Sequence, residues 1–284
     1  MLTCNLIGAG RLGKNLAQVF TKYAIASIQA ICNQSIESSN YAWQELGLSG
    51  ISCSIEQLPA ADITIIACSD DAVAAVARQL AQQMIQPGSY IIHCSGVLNS
   101  SVLEPLKQHG CSLASLHPLK SFKAGYLSAD AFAEVPIIIE GDEPACRWLE
   151  QVLSGLNAQV LSILPEAKAL YHAAAVMASN YLVTLAAASE QLMADTGLEQ
   201  HVAHKLITQL TKGTLANIEQ NSTTATALTG PLMRGDIGTL TRHVHAISDP
   251  AISRLYKAAG LATLPLTQLN QDKKVQIQRL LTGN

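Results

Sequence analysis

Three glycines near the start of the chain have the spacing G-x-G-x-x-G, within the segment IGAGRLGKNL. They follow an apolar run typical of a strand and open a run with helical periodicity, and in that context the spacing predicts a phosphate-binding turn. Gly8 allows the tight turn, Gly10 lets the backbone approach a pyrophosphate, and Gly13 lets the helix pack close to the strand. The first N–H groups of the helix add unpaired donors and partial positive charge. The loop residues expected to bind a dinucleotide are Gly8, Ala9, Gly10, Arg11, Leu12 and Gly13.

The same letters fit two other interpretations. GAGRLGKN reads as G-x-x-x-x-G-K-N, one residue away from a mononucleotide P-loop. That loop needs Ser or Thr after the lysine to bind magnesium, and this chain has Asn15 at that position. A glycine turn that binds nothing is the second alternative. The position of the glycines between a strand and a helix favours the dinucleotide.

The end of the second predicted strand indicates which dinucleotide to expect. An Asp or Glu about 20 residues beyond the last glycine binds the ribose 2′-hydroxyl of NAD and repels a 2′-phosphate. This chain has the neutral residues Asn33, Gln34 and Ser35 there, and Arg11 in the glycine loop could meet a phosphate. We therefore expect NADP(H) as the cofactor, with NAD as the alternative.

Polar side chains follow three further predicted strands. The positions after these strands are Cys68, Ser69 and Asp70, then Ser95, and then His117. Ligands of open parallel sheets bind beyond the carboxyl ends of the strands. We therefore take the first three as candidate cofactor-binding residues and the other two as candidate catalytic residues. Ser69 and Asp70 could instead cap the next helix, and His117 could belong to a turn fixed by the proline after it. A neutral His117 near pH 7 would suit proton donation or abstraction.

A polar stripe interrupts the alanine-rich segment KALYHAAAVMASNYLV. At about 100° per residue, Lys168, His172 and Ser179 fall within roughly 40° of one another on one helix, and Asn180 lies about 80° from His172. Polar groups on so apolar a helix need partners or water, so the stripe either lines a cleft or makes helix–helix hydrogen bonds. We favour the cleft. The hypothesis is that Lys168 or His172 delivers a proton to a carbonyl or imine as hydride arrives.

The segment TGPLMRGD places Arg234 among glycine and proline residues. A rigid loop could present its guanidinium to a substrate carboxylate. The alternative is a helix-joining turn in which Arg234 and Asp236 form a surface pair of little energetic value. His201 and His204 are spaced to share a helix face, and His243 and His245 lie close together, but no cysteine lies near them in the sequence, so no metal site is expected.

The distribution of apolar runs predicts two domains. Short β-rich runs alternate with helical patterns in the first half, which is the signature of a doubly wound, Rossmann-like α/β sheet. These runs are CNLIG, SIQAICN, DITIIACS, YIIHCS, CSLASLH, VPIIIE and AQVLSIL. Beyond Pro165 the pattern is helical throughout. We expect a dinucleotide-binding domain over residues 1–163 and an all-α substrate and dimerisation domain over residues 164–284.

The overall composition limits the classes of partner that the protein is expected to bind. A chain that is 49% hydrophobic and 14% charged is globular, and its net charge of −3 provides no positive field for nucleic acid or an anionic membrane surface. Seven cysteines without a CxxC pair indicate reduced thiols in the cytoplasm. Residues 169–188 are long enough to span a bilayer, but alanine-rich segments with polar interruptions insert weakly, so we expect a buried soluble helix. The expected partners are a small-molecule substrate and a second copy of the chain.

The motifs GAGRLG, IIACSDDAV, IIHCSGV, SLHPLKSF, KALYHAAAVMASNYLV and LTGPLMRGD occur in that order. Together they resemble a largely uncharacterised family that joins an NADP-oxidoreductase-like Rossmann domain to a helical domain of unknown function. The chain is similar, more distantly, to pyrroline-5-carboxylate reductases, 6-phosphogluconate and β-hydroxyacid dehydrogenases, and ketopantoate reductases. The resemblance covers nearly the whole chain. It implies a cofactor domain, a helical domain that commonly dimerises, and an active site in the cleft between them, but no particular substrate.

The β-hydroxyacid dehydrogenases also offer a comparison for individual residues. They place a substrate-holding serine after the strand equivalent to the one that precedes Ser95. They carry a catalytic lysine near the start of the long helix, with asparagine one turn later. Lys168 matches that lysine, whereas His172 stands where the asparagine is expected. This departure puts a hydroxyacid substrate in doubt.

These observations favour an NADP-linked oxidoreductase that acts on a small, anionic C=O or C=N compound, with the nicotinamide performing the hydride chemistry. A sensor or scaffold protein that binds NADP(H) without turnover is the alternative, and in that case the stripe around His172 would pack against another helix. An ATP-using enzyme with an incomplete P-loop is the third interpretation.

Overall fold

The computed structural model describes residues 1–123, 125, 127–128 and 130–283. The chain divides into a first unit, Met1–Val176, and a second unit, Met177–Asn284. The predicted domain boundary after residue 163 follows the last strand, whereas the structural division falls within the next helix. That boundary stays a prediction.

The first unit is built on one eight-stranded sheet. Its strands are β1 (Leu2–Ile7), β2 (Ala26–Cys32), β3 (Ile51–Ser52), β4 (Ile63–Ile66), β5 (Tyr90–His93), β6 (Ser112–Pro118), β7 (Pro136–Gly141) and β8 (Gln159–Ser162). They lie in the order β3-β2-β1-β4-β5-β6-β7-β8. Every neighbouring pair is parallel except β6 and β7, which are antiparallel. The predicted doubly wound α/β class is confirmed.

Helices connect these strands and cover both faces of the sheet. They are α1 (Arg11–Lys22), α2 (Ile36–Leu46), α3 (Asp70–Leu80), a 3-10 helix (Ser100–His109) and α4 (Glu143–Ser154). Successive side chains of a strand point to opposite faces, so Ile65 and Ile66 of β4 belong to different apolar clusters. One cluster includes Phe20 of α1, and the other includes Val73 of α3. Burial on both faces explains the continuous apolar strands.

The strand order places a topological switch between β1 and β4. The chain runs outward from β1 through β2 to β3, and then outward on the other side from β4 to β6. Loops that leave the carboxyl ends of β1 and β4 therefore diverge and leave a crevice, which is where open α/β sheets bind ligands. The predicted cofactor and substrate residues of the first unit follow the strands on the two sides of this switch.

The apolar segment that follows the last strand is helical but is not one regular helix. A single residue, Ser179, separates α5 (Lys168–Ala178) from α6 (Asn180–Ala194), and it has φ −113° and ψ −70°. The predicted common face of Lys168, His172 and Ser179 and the predicted angle to Asn180 both assume one ideal helix. The backbone angles of Ser179 depart from that ideal, and both angular relations stay predictions.

By length and composition alone, the stretch Pro165–Ala194 could cross a membrane, which is weak evidence by itself. None of its most apolar 18-residue window is buried within the chain. The sequence analysis predicts a buried helix here, and for the single chain that prediction is wrong.

The second unit is all-helical, as predicted. It contains α6, α7 (Gln200–Gln220), α8 (Pro231–Arg234), α9 (Ile237–Ala246), α10 (Pro250–Thr263) and α11 (Gln271–Thr282). Its apolar core contains Leu240 of α9 and Ile277 and Leu281 of α11. Asp236 and Asn270 cap the N-termini of α9 and α11 through their side chains, as such residues typically do.

Candidate functional site

Two of the three loop glycines are required by close packing, and the third faces open space. Gly8 has φ +90°, and a Cβ there would lie 2.6 Å from the backbone nitrogen of Cys68. A Cβ at Gly13 would collide with the carbonyl oxygen of Gly8. At Gly10, by contrast, a Cβ would meet no atom within 4 Å. The turn is therefore held by Gly8 and Gly13, while Gly10 leaves room for a ligand to approach the backbone.

A cavity of about 660 Å³ opens beside this turn. It lies at the carboxyl ends of β1, β2 and β4 and extends to the segment after β3 and to α3. Its size is that of a cofactor site. The residues assigned to the cofactor that line it are Gly8, Ala9, Gly10, Asn33, Gln34, Cys68 and Ser69.

Asn33 braces the glycine turn. Its Oδ1 accepts a 2.7 Å hydrogen bond from the backbone N–H of Ala9, and its Nδ2 donates to the carbonyl of Ser38. Asn33 therefore stabilises the glycine turn, in addition to its predicted contact with the cofactor. The amide of Ala9 already has a partner, so it is not among the donors that a phosphate would find.

The N-terminus of α1 supplies those donors. Gly10 occupies the N-cap position, and no side chain among the described residues caps this end. A helix N-terminus without a cap presents N–H groups and a partial positive charge, which suit a phosphate. Together with the open space at Gly10, this end of the cavity fits the pyrophosphate of a dinucleotide.

The P-loop interpretation does not fit the position of Lys14. The ammonium of Lys14 lies 2.5 Å from a carboxylate oxygen of Glu45, in a partly buried pair. Asn15 is buried, and its side chain donates to the carbonyl of Arg11. Both side chains of the motif are bonded to other parts of the protein, which argues against the P-loop interpretation.

The other predicted cofactor residues lie outside the cavity lining. Ser35 caps α2 by accepting a hydrogen bond from the N–H of Ser38. The residues without a place in the lining are Arg11, Leu12, Gly13, Ser35 and Asp70, and for these a direct contact stays a prediction. Ser69 occupies the N-cap position of α3, but within the described residues its hydroxyl makes no capping bond.

A second group of polar side chains gathers where β5 and β6 end. A Cβ at Gly96 would lie 2.8 Å from Nε2 of His117 and would also collide with the ring of His172. The two imidazole rings have centroids 5.8 Å apart at an interplanar angle of 70°. The missing side chain at Gly96 therefore lets His117 of β6 and His172 of α5 converge, and both were predicted as catalytic.

Lys168 lies in the same group and is 1% exposed. Its Nζ donates a 2.9 Å hydrogen bond to the carbonyl of Ser95. Burial lowers the pKa of Lys168, and the negative charge of Glu140 opposes that shift. A buried ammonium is costly unless it has partners, so Lys168 is held in place by specific contacts.

The hydroxyl of Ser95 is occupied by its own loop. Its Oγ accepts hydrogen bonds from the backbone N–H groups of Val97 and Leu98, at 3.3 and 3.0 Å. Ser95 is 4% exposed. The side chain thus shapes the loop that carries Gly96 and leaves only its hydroxyl hydrogen for another partner. Its predicted contact with a substrate stays a prediction.

Sequence reasoning missed three residues of this group. Tyr171 donates to or accepts from Nδ1 of His117 at 2.8 Å. His93 is fully buried, and its Nδ1 accepts a hydrogen bond from the N–H of Ser95. Glu140 is 2% exposed and accepts from the backbone and hydroxyl of Ser100. Tyr171 could have been found, because it lies three positions after Lys168 on the same predicted helix.

Two of the predicted catalytic residues lie in the second unit. Asn180 is exposed at the start of α6, and Arg234 is exposed at the end of α8. Within the described residues no ion pair joins Arg234 to Asp236, whose carboxylate instead accepts hydrogen bonds from Thr239. The surface-pair alternative for Arg234 is therefore not observed. The catalytic roles of Asn180 and Arg234 stay predictions.

Two domain models match this chain. A Rossmann-like domain matches residues 1–118, and a domain of unknown function, DUF2520, matches residues 135–263. The chain therefore joins a Rossmann-like domain to a DUF2520 domain. This combination confirms the resemblance found in the sequence. No curated protein matches the sequence.

Solved structures share this fold over most of their length. A Bacteroides fragilis protein provisionally assigned as an NADP oxidoreductase is 23% identical, with a TM-score of 0.75 and coverage of 93% of this chain and 98% of its own. A Thermotoga maritima protein is 26% identical, with a TM-score of 0.71 and the same coverage. Plasmodium falciparum pyrroline carboxylate reductase, solved with NADP bound, is 14% identical, with a TM-score of 0.56 and coverage of 99% and 96%. These likenesses establish the fold.

The buried imidazole of His93 should make the stability of the folded protein depend on pH. Burial, followed by the charge of Lys168, lowers the pKa of His93 from 6.5 to about 4. Between these values the unfolded chain binds a proton that the folded chain does not, so stability is lost as pH falls from 6.5 towards 4. The loss from this residue is up to about 3 kcal/mol, because one pKa unit corresponds to about 1.4 kcal/mol.

His93→Asn keeps an acceptor for the N–H of Ser95 but cannot take up the proton. We expect urea unfolding, followed by the fluorescence of Trp43 and Trp148, to show a smaller loss of stability between pH 6.5 and 4.5 in this variant than in the wild type. Above pH 7 the difference between the two proteins is expected to stay constant. Equal losses in both proteins below pH 6.5 would contradict the prediction.

Proposed function

We propose that this protein is an oxidoreductase that transfers hydride between NADP(H) and a small, anionic carbonyl or imine compound. The observation that carries the proposal is the arrangement within the first unit. A cavity with an uncapped helix N-terminus lies at the ends of β1, β2 and β4, and the group of His117, Lys168 and His172 lies at the ends of β5 and β6. The cavity spans the topological switch between β1 and β4, where a dinucleotide is bound in folds of this kind, and the histidine and lysine group lies on the β4 side of it.

The cavity residues would hold the adenosine and pyrophosphate parts of the cofactor. Gly10 and the first turn of α1 would hold the phosphates, and Gln34 and Ser38 line the side next to β2. When bound, the nicotinamide supplies the hydride chemistry. Two structural neighbours agree with this assignment: one is provisionally assigned as an NADP oxidoreductase, and the other is a pyrroline carboxylate reductase with NADP bound.

The preference for NADP(H) over NAD(H) rests on the end of β2. Asn33 and Gln34 carry no charge, so nothing there repels a 2′-phosphate as an acidic residue would. Arg11 is exposed at the start of α1 and carries a positive charge towards solvent. Glu56 is the acidic residue of the cavity lining, but it follows β3 rather than β2.

Lys168 or His172 would deliver the proton to the substrate. Burial lowers the pKa of Lys168, which makes its ammonium a stronger acid than that of an exposed lysine and better suited to proton transfer near neutral pH. His117 has a pKa lowered to about 4 by burial and by the charges of Lys168 and His172. It is therefore neutral at pH 7 and holds no imidazolium proton to give.

The alternative is a protein that binds NADP(H) without turnover. The hydrogen bond from Lys168 to the carbonyl of Ser95 favours it, because the same contact would serve a purely structural lysine. A measurement of substrate turnover distinguishes the two functions, because the second protein would bind NADP(H) without oxidising or reducing it.

We also propose that the second unit forms a homodimer and that the protein is cytoplasmic. No residue of α6 is buried in the single chain, and α7 buries only Ala203 and Ile207. The large apolar side chains that these helices leave exposed are Tyr181, Val183, Leu185, Leu206, Leu210, Leu215 and Ile218. An apolar surface of this kind on a soluble chain marks an interface. All seven cysteines are free thiols, as in a reducing compartment.

Cofactor binding is tested with Gly10→Asp. The space around Gly10 accepts a side chain, and Asp is a good N-cap, so the variant should fold. Its charge would repel the pyrophosphate. We expect calorimetry to show NADPH binding to the wild type, tighter than NADH, and at least tenfold weaker binding to the variant, about 1.4 kcal/mol.

Gly213→Asp is the matched control, because a Cβ at Gly213 also meets no atom within 4 Å and this residue lies in α7. It should bind NADPH as the wild type does. Absence of heat with both coenzymes would overturn the proposed function, and tighter binding of NADH would overturn the preference for NADPH.

Proton delivery is tested by following NADPH oxidation with small 2-oxo acids and cyclic imino acids. With a compound that the wild type reduces, Lys168→Met or His172→Gln should lower kcat by about a hundredfold, the usual contribution of a positioned acid. NADPH affinity should stay within about twofold of the wild type, since neither residue lines the cavity. Full turnover in both variants would exclude these residues as the proton source.

Dimer formation is tested by light scattering after size exclusion. We expect a molar mass twice the 30.1 kDa of one chain. Val183→Lys combined with Leu210→Lys should give the monomer, because charge on an apolar interface is costly. Met84→Lys is the control, since Met84 is 92% exposed but lies in the first unit. A monomeric wild type would refute the dimer.

A further inference from the structure

Tyr171 is a polar residue of the β5–β6 group that the sequence analysis does not use. Its hydroxyl lies 2.8 Å from Nδ1 of His117. The two rings meet edge to face, with centroids 5.8 Å apart at 79°. Among the described residues, neither side chain makes another hydrogen bond. One contact therefore orients both rings.

The chemistry of the two groups decides which one donates. Phenol is a stronger acid than an imidazole N–H, and an unprotonated imidazole nitrogen is a stronger base than a phenol oxygen. The bond from O–H to nitrogen is therefore favoured over the reverse. Burial raises the pKa of Tyr171 to about 12, so its hydroxyl keeps its proton. His117 stays neutral and offers a lone pair to that hydroxyl.

Most of the influences on the ring of His117 disfavour a second proton. Burial lowers the pKa of His117 most, followed by the charges of Lys168 and His172, and Asp70 opposes them more weakly. With Nδ1 occupied by Tyr171, the one ring proton must lie on Nε2. A Cβ at Gly96 would lie 2.8 Å from that nitrogen, so the glycine leaves the position beside Nε2 without a side chain. The residue as a whole is partly exposed.

We propose that Tyr171 is a positioning residue that fixes His117 as the tautomer protonated at Nε2, so that His117 presents an N–H donor to the carbonyl oxygen or imine nitrogen of the substrate. The identity of that acceptor rests on the proposed function. His117 loses no proton in this role. It stabilises negative charge as it develops on the acceptor atom, while the proton that completes the reduction comes from Lys168 or His172.

The tautomer can be measured without any substrate or coenzyme. In protein labelled with ¹⁵N-histidine, long-range ¹H–¹⁵N spectra distinguish a protonated ring nitrogen from an unprotonated one, and the signals lost in His117→Gln assign this residue. At pH 7 we expect His117 to be neutral, with Nε2 protonated and Nδ1 bare. In Tyr171→Phe the ratio of the two tautomers should shift towards Nδ1–H by about fivefold, the value of one ordinary hydrogen bond.

Tyr23→Phe is the matched control. Tyr23 also donates its hydroxyl to a side chain, Asp130, but not to a histidine, so its loss should leave the His117 signals unchanged. Wild-type His117 that is charged at pH 7 or protonated at Nδ1 would overturn the proposal even if Tyr171→Phe failed to fold. An unchanged tautomer ratio in a folded Tyr171→Phe would also overturn it. NADPH calorimetry on the same samples reports on the proposed function separately, since neither residue lines the cavity.

Discussion

The close approach of the β1–α1 turn to the end of β4 is the constraint on which the site depends. Gly8 packs against the backbone of Ala67 and Cys68, and Gly13 packs against the carbonyl of Gly8. A side chain at either position would push α1 away from the sheet. Because this packing fixes where α1 begins, it also fixes where the unpaired N–H groups of its first turn point. Backbone packing, rather than any charged side chain, therefore creates the phosphate end of the cavity.

A buried charge is the second constraint, and it operates on the other side of the switch. Removing the ammonium of Lys168 from water costs several kcal/mol unless partners compensate. The partner with a direct hydrogen bond is the carbonyl of Ser95, and the buried carboxylate of Glu140 supplies the opposing charge. Replacing a buried ion by a packed apolar side chain is often neutral or stabilising, so folding alone does not require a lysine at this position. The proposed role in proton transfer would require one.

The sequence predicted the strands well because each buried strand is a short apolar run bounded by turn residues. It missed β3, which has two residues and no apolar run, and the antiparallel direction of β7, since direction leaves no local pattern. In the site, the glycine turn and the residues after each strand could be read directly. Ser115 of β6 lies beside His93 of β5 on one side and Glu140 of β7 on the other. This row of polar residues could not be predicted, because it depends on the register between strands. The place of Tyr171 on the helix face of Lys168 could have been predicted from its spacing, but its contact with His117 could not, because helical spacing does not show which neighbour a face meets.

The exposed helices of the second unit explain why the prediction of a buried helix was wrong for the single chain. An alanine-rich segment with scattered large apolar residues is typical of a buried helix, yet α6 buries none of its residues in the single chain. Composition reports how much apolar surface must be covered, but not whether the covering residues belong to the same molecule. Polar residues such as Thr184 and Ser189 bond to their own helix backbone, so they present little unsatisfied polarity to a partner. A helix of this kind is suited to packing against another protein surface, and the proposed homodimer would supply that surface.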